Sequence, residues 1–118
     1  MAKHAPEYES YMRLILGLYI LKILDSQPAH GNKMVTEIKR RTLDAYTPNT
    51  NALYPLLRKL EEKGYIIGAW ESLVTRSKRI YTITEIGRGR IPAIEAMLKE
   101  RLDRMEQKIA ILRADLLS

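Results

Sequence analysis

Two clusters of polar and cationic side chains in the middle of the chain are distinguished by their types and spacing. The segment Asn49-Thr50-Asn51 carries three short side chains that both donate and accept hydrogen bonds. Tyr54 and Arg58 follow at intervals of one helical turn, so the cluster occupies one face if the segment is helical. The second cluster is Arg76-Ser77-Lys78-Arg79, with three cations in four residues. Side chains of the first kind suit base edges, and cations of the second kind suit phosphates.

A further cation, Lys59, is a candidate for the same surface. On a helix it points about 100° away from Arg58, so the two cannot face one partner equally, and Arg58 has the better phase with Tyr54. The run Lys39-Arg40-Arg41 is a weaker candidate, because cations at a helix end also favour the helix dipole.

Residues typical of catalysis or metal binding are scarce. The chain has no cysteine and two histidines, which excludes disulfides, thiolate zinc sites and cysteine nucleophiles. No phosphate-binding glycine loop, metal-ligand spacing or nucleophile–base arrangement is visible. Carboxylates such as Glu61 and Glu62 are expected to be solvated on an exposed helix face. We therefore expect no enzymatic activity, no metal and no cofactor.

The positive charge is concentrated before residue 90. Residues 1–89 hold 14 Lys and Arg against 9 Asp and Glu, which accounts for five of the six net positive charges. Such a surface suits a polyanion, either nucleic acid or an anionic membrane. No signal peptide is visible, and the apolar stretch 12–24 is too short to span a bilayer. We expect a cytoplasmic protein.

Three helices are predicted in the first half of the chain. The first is apolar on several sides, which in so short a chain favours a dimer partner as its cover. Either Thr47 or Asn49 is the N-cap of the third helix, and Gly64 ends it. The predicted spans are about 6–25, 32–41, and from 47–49 to 63.

A β-hairpin and a long helix are predicted to follow. Residues 65–70 and 79–84 are rich in β-branched and aromatic residues, and they read as two strands joined by a long tip. A turn is predicted at 84–87. The last helix is predicted from about Ile91, with Pro92 in its first turn.

The last helix carries a heptad-like apolar stripe, which favours packing against a second copy of the chain. Exposure of this stripe would forfeit roughly 1.5–3 kcal/mol per Leu or Ile. The predicted dimer interface comprises Tyr11, Ile15, Tyr19, Leu98, Leu102, Met105, Ile109, Leu112 and Leu116.

The order of elements predicts the fold class. Three helices followed by a hairpin are the order of a winged helix-turn-helix, in which the third helix enters the major groove and the hairpin reaches phosphates. We therefore predict a mainly α protein with a small β-hairpin (α+β). Residues 1–89 form the predicted DNA-binding domain, and 90–118 form a long C-terminal dimerisation helix.

The segment from Ala52 to Ile66, ALYPLLRKLEEKGYI, resembles the recognition helix of PadR-like transcriptional regulators. Trp70 and the stretch from Arg79 to Arg88 resemble that family's wing and the turn after it. The sequences Leu16-Gly17-Leu18 and Pro28-Ala29-His30-Gly31 occupy the expected upstream places, so the resemblance covers roughly 12–90. It implies a homodimeric repressor whose third helix and wing bind double-stranded DNA, and in this family a small effector often releases the DNA. The twofold symmetry of such a dimer predicts an inverted-repeat operator with half-sites about one helical turn apart.

The chain departs from the family pattern at two places. Asn32-Lys33 stands where the family usually has an aromatic and then an acidic residue. The run Asn49-Thr50-Asn51-Ala52 replaces a small, Pro- and Gly-containing run. Both places adjoin the predicted DNA surface. The departures therefore affect which operator sequence is expected, and not whether the protein is expected to bind DNA. The alternative function is a dimeric winged-helix module that binds protein and not specific DNA.

Overall fold

Helices and one small sheet make up the computed structural model, which describes residues 7–72 and 78–118. Arg76 and Ser77 of the predicted wing lie outside the described residues. The elements in chain order are α1 (Glu7–Ser26), β1 (Ala29–His30), α2 (Gly31–Arg41), α3 (Thr50–Glu62), β2 (Ile66–Trp70), β3 (Arg79–Ile83) and α4 (Glu85–Leu117). The strands form an antiparallel sheet in the order β1-β3-β2. The predicted mainly α class with a small hairpin is confirmed.

Helix α1 is the centre of the core. Leu16, Ile20 and Leu21 are almost completely buried, and Ile23 and Leu24 nearly so. The helix is apolar on several sides because α2, α3, α4 and the sheet of the same chain surround it. Elements of the same chain therefore supply much of the cover that a dimer partner was expected to give α1. A partner against the half-buried Tyr11, Ile15 and Tyr19 stays a prediction. No helix in the described part of the chain is long and apolar enough to span a membrane.

Helix α3 begins and ends at local signals in the sequence. Asn49 is its N-cap, and the Asn49 side chain accepts a hydrogen bond from the Asn51 backbone at 2.7 Å. Asn49, of the two candidates, is thus the cap. Gly64 follows the helix with a φ of +78°, a conformation that glycine adopts at little cost.

Strand β1 was not predicted. The sequence predicts no strand between the first two helices, but Ala29 pairs with Tyr81 and His30 with Ile80. Two residues are too few to show an alternating pattern, and their pairing depends on a strand some 50 residues away. Pro28 is compatible with this place because β1 lies at the sheet edge.

Helix α4 begins six residues earlier than predicted. Thr84 is its N-cap and accepts a hydrogen bond from the Gly87 backbone at 3.0 Å, where a turn was expected. Pro92 accordingly lies inside the helix and not in its first turn. Gly87 is required by packing, because a Cβ there would overlap the Tyr65 carbonyl oxygen.

The two halves of α4 differ in exposure. In the first half Ile94 is buried, and Ile91 and Leu98 are half-buried against the core. Met105 is half-buried too, but the stripe beyond it is exposed, by 48% at Ile109 and 69% at Leu116. The remaining predicted interface residues are Leu102 and Leu112, which are exposed, and Tyr11, Ile15 and Tyr19, which are half-buried. The helix is continuous through residue 89, the predicted domain boundary.

The two glycines of α4 provide a matched pair of substitutions. Gly87→Ala should lower the free energy of unfolding by about 1–3 kcal/mol, because the added methyl group overlaps Tyr65. Gly89→Ala should raise it by about 0.5–1 kcal/mol, because nothing lies within 4 Å of the added atom. Urea unfolding at a fixed protein concentration measures both. Equal shifts in the two variants would contradict the assigned packing.

Candidate nucleic-acid interface

The outward face of α3 carries the first predicted cluster. Leu53, Leu57 and Leu60 are buried, and they turn the other side of the helix to the surface. The predicted recognition residues on that helix and its N-cap are all exposed: Asn49, Thr50, Asn51, Tyr54, Arg58 and Lys59. The first turn of α3 therefore presents hydrogen-bonding side chains outward, at the end of the helix that carries the positive dipole.

Tyr54 is held in place by the start of α2. Its side chain is 39% exposed, and its hydroxyl oxygen would lie 2.8 Å from a Cβ at Gly31. The ring thus lies directly over the Gly31 backbone. A larger residue at position 31 would displace Tyr54, so this glycine is needed for close approach and not for its φ.

Helix α3 and the hairpin of β2 and β3 meet in one surface hollow. Tyr54, Lys78 and Arg79 line it together with Trp70, and its volume is about 340 Å³. Lys59 lies elsewhere, in a groove with Met12 and Pro55. The structure therefore brings together residues of both predicted clusters and separates Lys59 from them.

Arg79 and Glu61 form an ion pair that the sequence did not reveal. Arg79 Nη2 donates to Glu61 Oε2 at 2.6 Å, and both side chains are about two-thirds buried, with exposures of 31% and 28%. The Arg79 guanidinium also lies 5.4 Å from the Trp70 ring centre and 5.9 Å from that of Tyr81. The expectation that Glu61 is merely solvated was wrong.

Burial raises the pKa of the Tyr81 phenol, while the Arg79 guanidinium acts in the opposite direction. The net shift is upward from a value that is already near 10. Tyr81 is therefore uncharged at neutral pH, and its ring lies buried beneath this surface beside Arg79.

The cations at the end of α2 are paired along their own helix. Arg40 donates to Glu37 at 3.0 Å, and Arg41 donates to the same carboxylate at 3.2 Å. Hydrogen bonding to Arg40, with Arg41 acting in the same direction, holds the pKa of Glu37 at about 2. Two of the three charges in this run are thus partly neutralised.

A second candidate site is a cleft between α1, α3 and α4, with a volume of about 250 Å³. Arg13, Lys63, Arg90 and Arg101 line it, and its described lining includes no carboxylate. Arg90 Nε is buried without a hydrogen-bond partner, and its guanidinium lies 5.9 Å from the Tyr65 ring centre. In the described residues, no group of three or more His, Cys, Asp or Glu side chains could hold a metal ion.

Three helices, with a two-stranded wing packed beside the third, define a winged helix-turn-helix protein. The chain belongs to the PadR-like family of transcriptional regulators, whose family model matches residues 20–93. The family membership predicted from the segments within 12–90 is thereby confirmed.

Several known proteins are similar to this chain in sequence or in structure. The transcriptional regulator Rv3488 of Mycobacterium tuberculosis is 27% identical over 90 residues, which cover 76% of this chain and 81% of that protein. A PadR family transcriptional regulator from Eggerthella lenta is similar with a TM-score of 0.67 and 24% identity, over 86% of this chain and 87% of the other. Bacillus subtilis PadR in complex with operator DNA gives 0.59 and 24%, over 67% of this chain and 45% of the other.

Proposed function

We propose that the protein is a homodimeric repressor that binds an inverted-repeat operator in double-stranded DNA. The outward face of α3, continuous with the wing, is the observation that carries this proposal. Its polar first turn can enter the major groove, and Arg58 can reach the adjacent backbone. The operator complex of the Bacillus subtilis relative supports the same use of the fold.

The proposed DNA surface has two parts with different tasks. The base edges are contacted by Asn49, Thr50 and Asn51, because short amide and hydroxyl groups can hydrogen-bond to the donors and acceptors of the bases. The phosphate backbone is contacted by Tyr54, Arg58 and the exposed Lys78, and Arg79 lies beside them. Arg76, Ser77 and Lys59 remain sequence-based candidates for the edge of this surface.

The proposed dimer rests on the exposed apolar stripe of α4. Ile109, Leu112 and Leu116 are exposed at heptad spacing, and a stripe of this kind is more stable when a second copy covers it. Residues 90–118 would then join two copies whose α3 helices face successive major grooves about one helical turn apart.

Salt dependence tests the proposed DNA surface. If about four cations of each protomer contact phosphates, log K should fall with log salt at a slope of about −7. Arg58→Ala or Lys78→Ala should each reduce the slope by about two units, because a dimer loses two phosphate contacts. The measurement is fluorescence anisotropy on fragments selected from the source genome.

Lys99→Ala is the control for charge alone. Lys99 is exposed on α4 and pairs with Asp103 at 2.8 Å, so its removal changes the net charge equally but should leave the slope unchanged. Slopes that change alike in all three variants would refute the assigned surface. If the wild-type protein binds no DNA fragment from the source genome, the result would favour the alternative function, a protein-interaction module.

The dimer is tested by placing a charge in the α4 stripe. Leu112→Glu should convert the protein to monomers, because the carboxylate would be buried against apolar groups of the partner. Ile111→Glu is the matched control: Ile111 is exposed by 66% but lies off the heptad stripe. Sedimentation velocity measures both. A wild-type monomer, or dissociation in both variants alike, would contradict the proposed interface.

We further propose that a small effector binds in the cleft between α1, α3 and α4. Arg13, Lys63 and Arg90 adjoin apolar walls that include Leu14 and Met97, and Arg90 Nε is buried without a hydrogen-bond partner among the described residues. A molecule with one carboxylate and an apolar body would satisfy both features. The cleft adjoins the end of α3, so a ligand there can alter the angle of the recognition helix.

Two probes of one shape test the cleft. 2-Naphthoate should bind about tenfold more tightly than the uncharged 2-naphthylmethanol, because it gains a charge-assisted hydrogen bond. Arg90→Met should abolish the difference, whereas Lys99→Met should preserve it, with calorimetric titration as the measurement. Equal affinity of the wild-type protein for the two probes would refute an anionic effector.

A further inference from the structure

Glu61 joins the recognition helix to both strands of the wing. One oxygen of its carboxylate, Oε2, accepts from Arg79 Nη2 at 2.6 Å and from the Gly68 backbone N–H at 3.2 Å. Gly68 lies on β2, and Arg79 lies on β3. A single side chain of α3 thus fixes the position of the hairpin relative to the helix.

The shape of the wing is adapted to this contact. A Cβ at Gly68 would lie 2.6 Å from Arg79 Nε and 2.9 Å from a ring carbon of Tyr81. The Arg79 side chain therefore crosses the strand directly over Gly68, next to the rings of Trp70 and Tyr81. Any other residue at 68 would push the guanidinium away from Glu61.

If electrostatics alone mattered, a carboxylate at Glu61 would weaken DNA binding. Glu61 lies on α3 and contacts a wing residue of the proposed DNA surface, where a negative charge repels phosphate. The pair is also about two-thirds buried, so exchange of Glu61 for a phosphate would leave a partly desolvated carboxylate without its partner. The geometry therefore favours a pair that stays closed on DNA.

We propose that Glu61 is a positioning residue that sets the angle of the wing through Arg79, and that Arg79 holds the wing and does not bind a phosphate. This inference rests on the proposed function, and it assigns different roles to Lys78 and Arg79, the two described residues of the cluster Arg76-Ser77-Lys78-Arg79. Of Lys78 and Arg79, the exposed Lys78 is the residue that binds a phosphate.

The opposite effects of two neighbouring carboxylates test the proposal. Glu61→Ala should weaken operator binding about tenfold, although it removes a negative charge. The reason is that the wing loses the charge-assisted hydrogen bond from Arg79 to Glu61. Glu62→Ala makes the same change of charge at an exposed position of the same helix, and it should bind at least as tightly as wild type. Glu61→Gln, which keeps an acceptor, should recover part of the loss. A Glu61→Ala variant that binds as tightly as wild type would overturn the proposal.

Two further readouts separate positioning from general damage. Arg79→Ala should weaken binding but leave the salt slope unchanged, whereas Lys78→Ala should reduce it by about two units. A fall of the same size in Arg79→Ala would show that Arg79 binds phosphate and would overturn its assigned role. Hydrogen exchange should accelerate at the Gly68 amide in Glu61→Ala, because that amide loses its acceptor.

The outcomes distinguish this inference from the proposed function. If the wild-type chain has no operator affinity, the proposed function fails and the inference fails with it. If wild type binds and Lys78→Ala reduces the salt slope, the proposed function stands. The inference then depends on two results: whether Glu61→Ala and Glu62→Ala differ in operator affinity, and whether Arg79→Ala leaves the salt slope unchanged.

Discussion

Burial of α1 is the constraint on which the rest of the structure depends. Its apolar side chains, Leu16 to Leu24, contact the other helices and the sheet, so those elements take their positions from it. Leu53, Leu57 and Leu60 of α3 complete the same core. Once they are buried, the helix has no freedom to rotate, and the side with Asn51 and Tyr54 must face outward. The candidate interface is a consequence of how the core closes.

Features encoded by neighbouring residues could be predicted from the sequence. Contacts within a few residues limit the N-cap of α3 to Thr47 or Asn49 and place its end at Gly64, and the alternation of Tyr81, Thr82 and Ile83 sets the inner face of β3. Features that depend on distant partners could not. Strand β1 exists only because Tyr81 and Ile80 pair with it. The early start of α4 has a local signal in the Thr84 cap, but the close fit of Gly87 against Tyr65 joins residues 22 positions apart.

The same distinction applies to charge. Counting residues identifies an excess of positive charge before residue 90, but it does not reveal which cations have partners. Arg40 and Arg41 share Glu37, and Arg79 is paired with a carboxylate 18 residues away in the chain. Arg58 and Lys78 remain exposed on the proposed surface. The electrostatic surface available to DNA is therefore smaller and more localised than the net charge of +6 indicates.

Thr84 connects the parts of the molecule to which separate functions are assigned. It follows β3 directly, and its hydroxyl donates to the Gly64 carbonyl at 2.6 Å, just beyond α3. The same oxygen accepts from Gly87 in the first turn of α4. The wing, the end of the recognition helix and the start of the helix with the exposed apolar stripe thus meet at one side chain. A tilt of α4, whether caused by a second copy or by a ligand in the adjoining cleft, cannot leave the angle between α3 and the wing unchanged unless these hydrogen bonds break.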